Sequence, residues 1–592
     1  MLKPAAATAQ TELEMVTLDQ LVPRDHLLRL IDTHIRFDFI REKTEGLYCA
    51  NNGRPAIDPV VLFKMLFIGY LFGVRSERQL VREIEVNVAY RWFLGLRLTD
   101  KVPDASTLSQ NRRRRFAGTG IEQAIFDAIV EQAIEHRLIG GRVLYTDSTH
   151  LKANANKRHY ELVEVEQTPA AYLAELDAAV DAERAAAGQK PLRRAPAVPE
   201  PSEPGPGGDG GEPTERSEPT PDAPAADTRE IKRSTVDPDS GFMVRDQKPV
   251  GFFYLDHRTV DGVHALIVDT HVTPGNVNDA TPYLERLDRA RTRFDLKVGA
   301  VGLDAGYFTP WICKGIVERG LYGVMGYRRP SHREGYFHKR EYAYDAQTDS
   351  YRCPAGQIIV YRGTNRTGYR EYASDPGQCR QCPQRARCTQ SQNTQKLLTR
   401  HVWQPFKEQI DANRLTDLGK RLYAPRKETV ERSFADAKEL HGHRYARFRG
   451  LAKVQAQCLL SATCQSMKKM VLLLARWAAA LLSLKFQLAG TLTGVLRRQH
   501  IPNARHGLSP LSGAASRLRA LQKHEPPEKP GIRQQSDFEE AFLFSLACLG
   551  TLLRCGVVCL AGAAQPFEVS GISSGSGIEK KIRIRRRGAY TN

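Results

Sequence analysis

Three short stretches constrain this chain more than anything else in it. They are Tyr145-Thr146-Asp147-Ser148-Thr149, Val301-Gly302-Leu303-Asp304-Ala305-Gly306-Tyr307, and Glu428-Thr429-Val430-Glu431-Arg432-Ser433-Phe434 with Lys438 beyond it. Each of the first two sets a carboxylate at the end of an apolar, strand-like run. The third sets a carboxylate on a helix rich in bases. Acids on two strands and a helix can form a cage of oxygen ligands, the kind that hard divalent cations take. An Asp at a strand end can also cap a helix or form a turn, so each acid alone says little. Their shared setting carries the reading, because strand ends in a mixed sheet can converge on one site.

The chain has 592 residues, 41% of them hydrophobic, and a net charge of +19. That length suits more than one domain with ample core. The charge excess points to a polyanionic partner, nucleic acid before anionic membrane. Residues 1–12 lack the basic start and apolar run of a signal peptide. The 11 cysteines are therefore read in a reducing cytoplasm, where clusters serve metals rather than disulfides. The apolar stretch 541–564 is interrupted by Arg554 and falls short of the roughly 20 residues a membrane span needs. No membrane partner is expected.

Residues 12–136 read as a helical domain. Pro59 opens an all-apolar helix, Ser76 caps a second, and residues 87–96 form a third with Trp92 and Phe93 toward the core. A turn at Pro103-Asp104 leads into a helix bearing Arg112-Arg113-Arg114-Arg115, an arrangement that suits DNA docking of helix-turn-helix type or a bundle with a solvated basic face. From Gly141 the period changes to that of strands. Strands are expected at 143–145 running into Asp147, with a return at 152–156, and at 250–255, 264–268, 298–303 and 321–325. Helices are expected at 170–187, 278–289, 310–318, 417–440 with a break at Pro425, and 451–475. This is a mixed α/β sheet spanning 141–475. Two insertions interrupt it. Residues 196–228 hold nine prolines and eight acids against one arginine, a net charge of −7 that leaves +26 on the rest of the chain; such a segment is a disordered linker. Residues 330–415 are rich in Tyr and Arg and carry cysteines. Beyond, 476–592 is an atypical extension with a basic tail at 580–587.

On an ideal helix Lys427, Glu431 and Lys438 fall on one stripe, and Val430, Phe434 and Ala437 on the next, which would hold the helix to the sheet. Between Arg421 and Lys453 there are nine bases and four acids, a density that grips phosphates without reading sequence. Glu428 is a rival to Glu431, disfavoured by the stripe with Lys438. His441 and His443 flank the turn after this helix and read as DNA contacts or turn formers. Cys458 and Cys464 read as packed core.

Asp147 in YTDSTHLKANANK, Asp304 in GLDAGYF and Glu431 in KETVERSFADAK resemble the three acids of bacterial insertion-sequence DDE transposases, an RNase H-like superfamily. The stretch from Gly53 through Phe116 resembles their helical DNA-binding region. The resemblance spans roughly residues 12–475. It implies an RNase H-like mixed-sheet core behind an N-terminal helical DNA-binding domain. It also implies Mg²⁺ (or Mn²⁺) held by Asp147, Asp304 and Glu431, cleavage at element ends, and strand transfer into target DNA. In the related signature a Tyr and an Arg precede the Glu, and a Lys follows it by seven. Lys438 fits the last position; Lys427 stands where the Arg would be, and Tyr423 is one residue too far away. Lys438, Lys427, Tyr423 and Arg426 would grip DNA, with Arg112, Arg113, Arg114 and Arg115 on the N-terminal side. The partners implied are double-stranded DNA, both element ends and target, and a second copy of the chain as a homodimer on DNA. A same-fold nuclease or resolvase without joining activity, and an inactive DNA-binding descendant, remain as alternatives.

Cys353, Cys379, Cys382 and Cys388 include a CxxC pair with two outlying cysteines, a set that fits tetrahedral Zn²⁺; similar relatives carry cysteines in this insertion. Reduced structural thiols are the alternative.

Overall fold

The computed structural model describes residues 15–49, 55–166, 170–192, 228–244, 249–327 and 333–498. The acidic stretch 196–228, apart from Thr228, lies outside them, as do the apolar stretch 541–564 and the tail 580–587. Residues 1–493 group as one unit; of the second, 494–592, only the end of one helix is described.

Thirteen strands are described, in two sheets. The larger has eight: β1 (Val143–Lys152), β2 (Tyr160–Glu166), β3 (Thr228–Ser234), β4 (Gly241–Met243), β5 (Gly251–Asp261), β6 (Ile267–Pro274), β7 (Ala300–Leu303) and β8 (Tyr322–Met325). Its order is β2-β3-β4-β5-β1-β7-β8, with β6 also paired to β5. β5 runs antiparallel to β1 and β6, while β1, β7 and β8 are parallel. All 11 residues of β5 are buried, because the strand is covered on both faces. Its buried charges are therefore paired with one another and with the helices above. Arg258 meets Asp256 at 2.9 Å, and Asp256 also accepts from Thr270 Oγ1 at 2.6 Å.

The second sheet is a separate meander, β9 (Ala343–Asp345), β10 (Ser350–Arg352), β11 (Ile358–Thr364), β12 (Tyr369–Ala373) and β13 (Leu397–His401), each paired to the next. It occupies the Cys-bearing insertion.

The N-terminal helices form where caps and apolar faces agree. Asp58 accepts from Val60 N at 2.8 Å and Pro59 starts the helix Pro59–Leu71. Ser76 caps Glu77–Val86, and Asn87 caps Val88–Leu94 through Ala89 N and Tyr90 N. Phe93 is buried and Trp92 packs at the edge of the same core. That core is completed by Leu460, Cys464, Met467, Met470 and Val471 of the long helix Leu451–Arg498. The same helix sends Leu459 and Ala462 into the core between sheet and helices, and Val454 and Cys458 into a third cluster. Its segment Leu451–Ser483 is long and apolar enough to cross a membrane, but 67% of its apolar window is buried; the three cores take its apolar residues as far as Val471, while Leu472, Trp477, Leu481 and Leu482 are exposed. Cys458 and Cys464 are both fully buried.

Several expected boundaries differ. β1 does not end at Asp147 but continues to Lys152, because its second half pairs with β5 from Ser148↔His257 to Lys152↔Phe253. Residues 152–156 form no return strand: Lys152 ends β1, the next strand, β2, pairs with β3, and the antiparallel neighbour of β1 is β5. His264 to Leu266 form a turn rather than a strand: Ala265 adopts φ 53°, and Asp261 N bonds Leu266 O at 2.9 Å. The helix after β6 begins at Tyr283. The long helix runs past Ala475 to Arg498; no glycine or proline interrupts it before Gly490.

Candidate active site

Asp147 and Asp304 are brought together by strand register. β1 and β7 pair in parallel, and their last pair is Thr146↔Leu303. Asp147 and Asp304 are the next residue on each. Parallel neighbours lie about 4.8 Å apart, and matched positions point to the same face. The two carboxylates therefore leave the sheet side by side. Asp304 precedes the turn Ala305–Tyr307 in extended conformation, and its side chain makes no cap hydrogen bond there. Asp147 accepts from Ser148 N at 2.8 Å. Neither acid is used as a helix cap.

The third acid arrives on a helix whose position is set by a hydrogen bond. Tyr145, two residues before Asp147, lays its ring across β7 at Gly302. A Cβ on Gly302 would lie 2.6 Å from Tyr145 Cδ1 and Cε1. The Tyr145 hydroxyl reaches beyond it and donates to Leu422 O at 2.7 Å. Leu422 lies in the last turn of the helix Asp417–Tyr423, and a tighter turn follows at Ala424–Arg426, where Pro425 interrupts the ladder. Lys427–Glu431 is then a π-helical turn, with Arg432 N bonded to Lys427 O, before the regular helix Arg432–Leu440. A π turn accommodates one extra residue per turn. Arg426 and Glu431, five apart, therefore face the same way. The Arg426 guanidinium donates through Nη2 to Asp147 Oδ2 at 2.6 Å and through Nη1 to Glu431 Oε1.

Arg426 thus bridges Asp147 and Glu431, and Asp304 adds its charge from nearby. Burial pushes the Asp147 carboxyl up to about 6; Arg426 and the Ser148 amide oppose this, and Asp304 and Asp279 add to it. Burial works against the Arg426 charge, but Asp147, Tyr423, Asp304 and Glu431 together raise its pKa. Burial also raises Tyr423, against Arg426 and with Asp304 and Glu431. The Tyr423 hydroxyl enters where Gly326 leaves room, 2.7 Å from the place of a Cβ there.

Sequence reasoning missed Asp279. Ser148 Oγ donates to it at 2.8 Å, which puts a fourth carboxylate beside Asp147. Only its position after β6 marks it, in an Asn-Asp pair indistinguishable from a helix start.

The expected base positions need correction. The spacing of the related signature puts Lys427 at the arginine position. The π turn makes Arg426 the inward base, buried against the acids, and leaves Lys427 exposed. Arg426 is therefore an internal partner of the acids rather than a solvent-facing DNA contact. The π turn takes Lys427 off the stripe with Glu431 and Lys438; those two remain seven apart along regular helix. Val430, Phe434 and Ala437 are buried. Glu428 is exposed and pairs with Arg432 at 3.8 Å. Lys438 is half-buried on Arg432–Leu440. His441 and His443 are not DNA contacts: both are buried, His441 bonding Tyr70 O at 2.9 Å and His443 bonding Asp256 at 2.8 Å. In the turn Arg112–Phe116, Arg112 pairs with Glu77 and lies 4.2 Å over the Phe448 ring, and Arg115 lies 4.0 Å over Tyr48. Arg113 and Arg114 are exposed.

The donors of Asp147, Asp304 and Glu431 are all carboxylate oxygens, which suits a hard divalent ion. Arg426 already holds cationic charge between two of them. Its buried Nε has no hydrogen-bond partner, so the guanidinium is incompletely satisfied where it stands. Asp256, His443 and Cys458 also lie within 4.8 Å of one another, but they suit no such ion. All three are buried, and Asp256 is already engaged by Arg258, Thr270 and His443.

Two family models match. Residues 16–114 match a "Transposase domain (DUF772)" and residues 352–471 match a "Transposase DDE domain", which includes the helix of Arg426 and Glu431. The two matches support a DDE transposase. No curated protein matches it. Among solved structures, the piggyBac transposase synaptic complex with hairpin DNA is similar at a TM-score of 0.30 and 9% identity, over 87% of this chain and 88% of that one. A likeness that loose carries no argument about this chain's site. Asp147 and Asp304 lie outside both matched segments, so their pairing rests on the β1–β7 register.

Proposed function

We propose that the chain cleaves double-stranded DNA at the ends of a mobile element and joins the freed 3′ ends to target DNA, using an RNase H-like core. The observation that carries this is the juxtaposition of Asp147 and Asp304 on adjacent parallel strands, with Glu431 joined to Asp147 through Arg426. A divalent ion held by these three acids would supply activation of a water or 3′-hydroxyl and stabilisation of the leaving oxygen.

The chain's own residues do the rest. Asp147, Asp304 and Glu431 converge from three elements and fix the reaction centre. Arg426 neutralises Asp147 and Glu431, a role that a cation held by the acids would take over. Tyr423 and Lys438 lie on the elements beside the acids and Lys427 on the exposed side of the π turn, so their contacts are with phosphates near the cut. Exposed Arg113 and Arg114 give the N-terminal helices a basic surface for duplex DNA. The helical N-terminal region is the DNA-binding part, and two copies act together on two ends, in the cytoplasm at the nucleoid.

Asp147→Ala, Asp304→Ala and Glu431→Ala each abolish strand cleavage while retaining end binding; Glu428→Ala, at the exposed face, cleaves normally. Wild-type cutting by any of the first three variants sinks its assignment. Nicking without strand transfer would favour a nuclease, and binding with no product in Mg²⁺ a non-catalytic DNA binder.

A further inference from the structure

The insertion that carries β9–β13 has a small core. Its fully buried cluster is Tyr342, Tyr351, Ile359, Tyr372 and Leu398. Two short helices, Pro376–Arg380 and Arg385–Cys388, lie at one end of the sheet, and neither buries a residue. Units with so little apolar burial are usually stapled by disulfides or a metal. The four cysteines of this region are free thiols. All four line one cavity of about 30 Å³, together with Arg385 and Lys396. That is room for one small ion; the four sulfurs are not drawn together, since among the described residues the three ligand atoms within 4.8 Å of one another are those of Asp256, His443 and Cys458, so an ion would pull the thiolates inward.

Each cysteine reaches the cavity from a different backbone feature. Cys353 begins the tight turn between β10 and β11, where Cys353 N bonds Gln357 O at 2.9 Å and Gly356 N bonds Cys353 O at 2.8 Å. Cys379 lies on the first short helix and Cys382 just past it, with Cys382 N bonded to Cys379 O at 3.3 Å. Cys388 ends the second helix. Hydroxyls stand beside two of the sulfurs: Tyr342 Oη is 3.2 Å from Cys388 Sγ, and Ser374 Oγ is 3.1 Å from Cys379 Sγ. Lys396 Nζ donates to Cys388 O at 3.0 Å.

We propose that Cys353, Cys379, Cys382 and Cys388 bind one Zn²⁺ as four thiolates, clamping the two helices to the β10–β11 turn. Soft thiolates in a C-x₂-C pair with two outlying cysteines suit zinc in a closed, structural site. Binding releases the four thiol protons to solvent. The resulting centre carries a net charge of −2, and Arg385 and Lys396 at the cavity wall offset it. Once the sulfurs are thiolates, Tyr342 and Ser374 donate to them as outer-shell hydrogen bonds.

The test uses the full chain, purified without chelator and reconstituted with Zn²⁺. Elemental analysis is expected to find one zinc per chain, unchanged in Asp147→Ala and lost in Cys379→Ser/Cys382→Ser. Loading wild type with Co²⁺ is expected to give the intense sulfur-to-cobalt charge-transfer bands of a tetrathiolate site, which needs no variant to fold. Zinc below stoichiometry after reconstitution, zinc retained in the double variant, or a Co²⁺ spectrum without those bands overturns the proposal. None of these readouts depends on DNA cleavage, so this site stands or falls separately from the active site.

Discussion

Gly302→Ala tests whether strand packing positions the third acid. Gly302 lies opposite Tyr145 in the β1–β7 register, and the added methyl would sit 2.6 Å from two atoms of the Tyr145 ring. The ring cannot retreat: it is 2% exposed, and its hydroxyl is held by Leu422 O at 2.7 Å. Overpacking of this kind costs about 1–3 kcal/mol. Relief by tilting the ring breaks the Leu422 hydrogen bond, worth about 0.5–1.5 kcal/mol, and frees the segment that delivers Tyr423, Arg426 and Glu431. A misplacement near 1 Å at a reacting centre lowers rates on the order of 100-fold. The expected result is a modest loss of denaturant stability and a much larger loss of cleavage of end-labelled element DNA at saturating DNA. Tyr145→Phe, which removes only the hydroxyl, should show the smaller part of both losses. Gly299→Ala is the control, since the nearest atom to its Cβ is Arg142 O at 3.9 Å. If Gly302→Ala melts and cleaves like wild type, or Gly299→Ala is equally harmful, the argument from Tyr145 to Glu431 is wrong.

The Asp147 carboxyl, pushed by burial from 3.8 to about 6, keeps a proton in the folded protein that the unfolded chain has lost between those pH values. Its contribution to stability therefore falls as pH rises from about 4 to about 6, by on the order of 3 kcal/mol at most. Asp147→Asn should remove that dependence, melting above wild type at pH 7.5 and level with it at pH 4; a variant no more stable than wild type at pH 7.5 refutes it. Arg258 is fully buried between Asp256, Gln465 and Phe434. Arg258→Ala should destabilise by about 3–5 kcal/mol by leaving Asp256 buried with one partner fewer, while Arg258→Met with Asp256→Leu should recover most of that loss in urea melts.

Local signals made part of this fold legible. Asp58 with Pro59, Ser76, and Thr309 with Pro310 are caps whose hydrogen bonds are present, and the helix Pro310–Glu318 has the expected bounds. The sheet was harder to read because its central strand breaks the apolar rule. Asp256, His257 and Arg258 look like the end of a strand after Leu255. They continue it because each side chain finds a partner: Asp256 bonds Thr270 and His257 bonds Thr273 across the sheet, while Arg258 bonds Asp256 on its own strand and Gln465 on a covering helix. That pairing is tertiary and leaves no trace in local pattern. The same holds for Asp279, whose place beside Asp147 depends on where β6 stops.

The active-site helix is the sharpest case. Tyr423 departs by one residue from the related signature, and the signature's spacing puts Lys427 at the arginine position. The backbone absorbs the extra residue as a π turn at Lys427–Glu431, next to the break at Pro425. Such turns are how a helix carries a single-residue excess while keeping the residues on either side in register. Arg426 therefore bridges Glu431 and Asp147 as though the extra residue were not there. A one-residue mismatch in a helical motif is thus evidence about the local helix type, and periodicity computed at a fixed angle assigns the wrong side chain to the site.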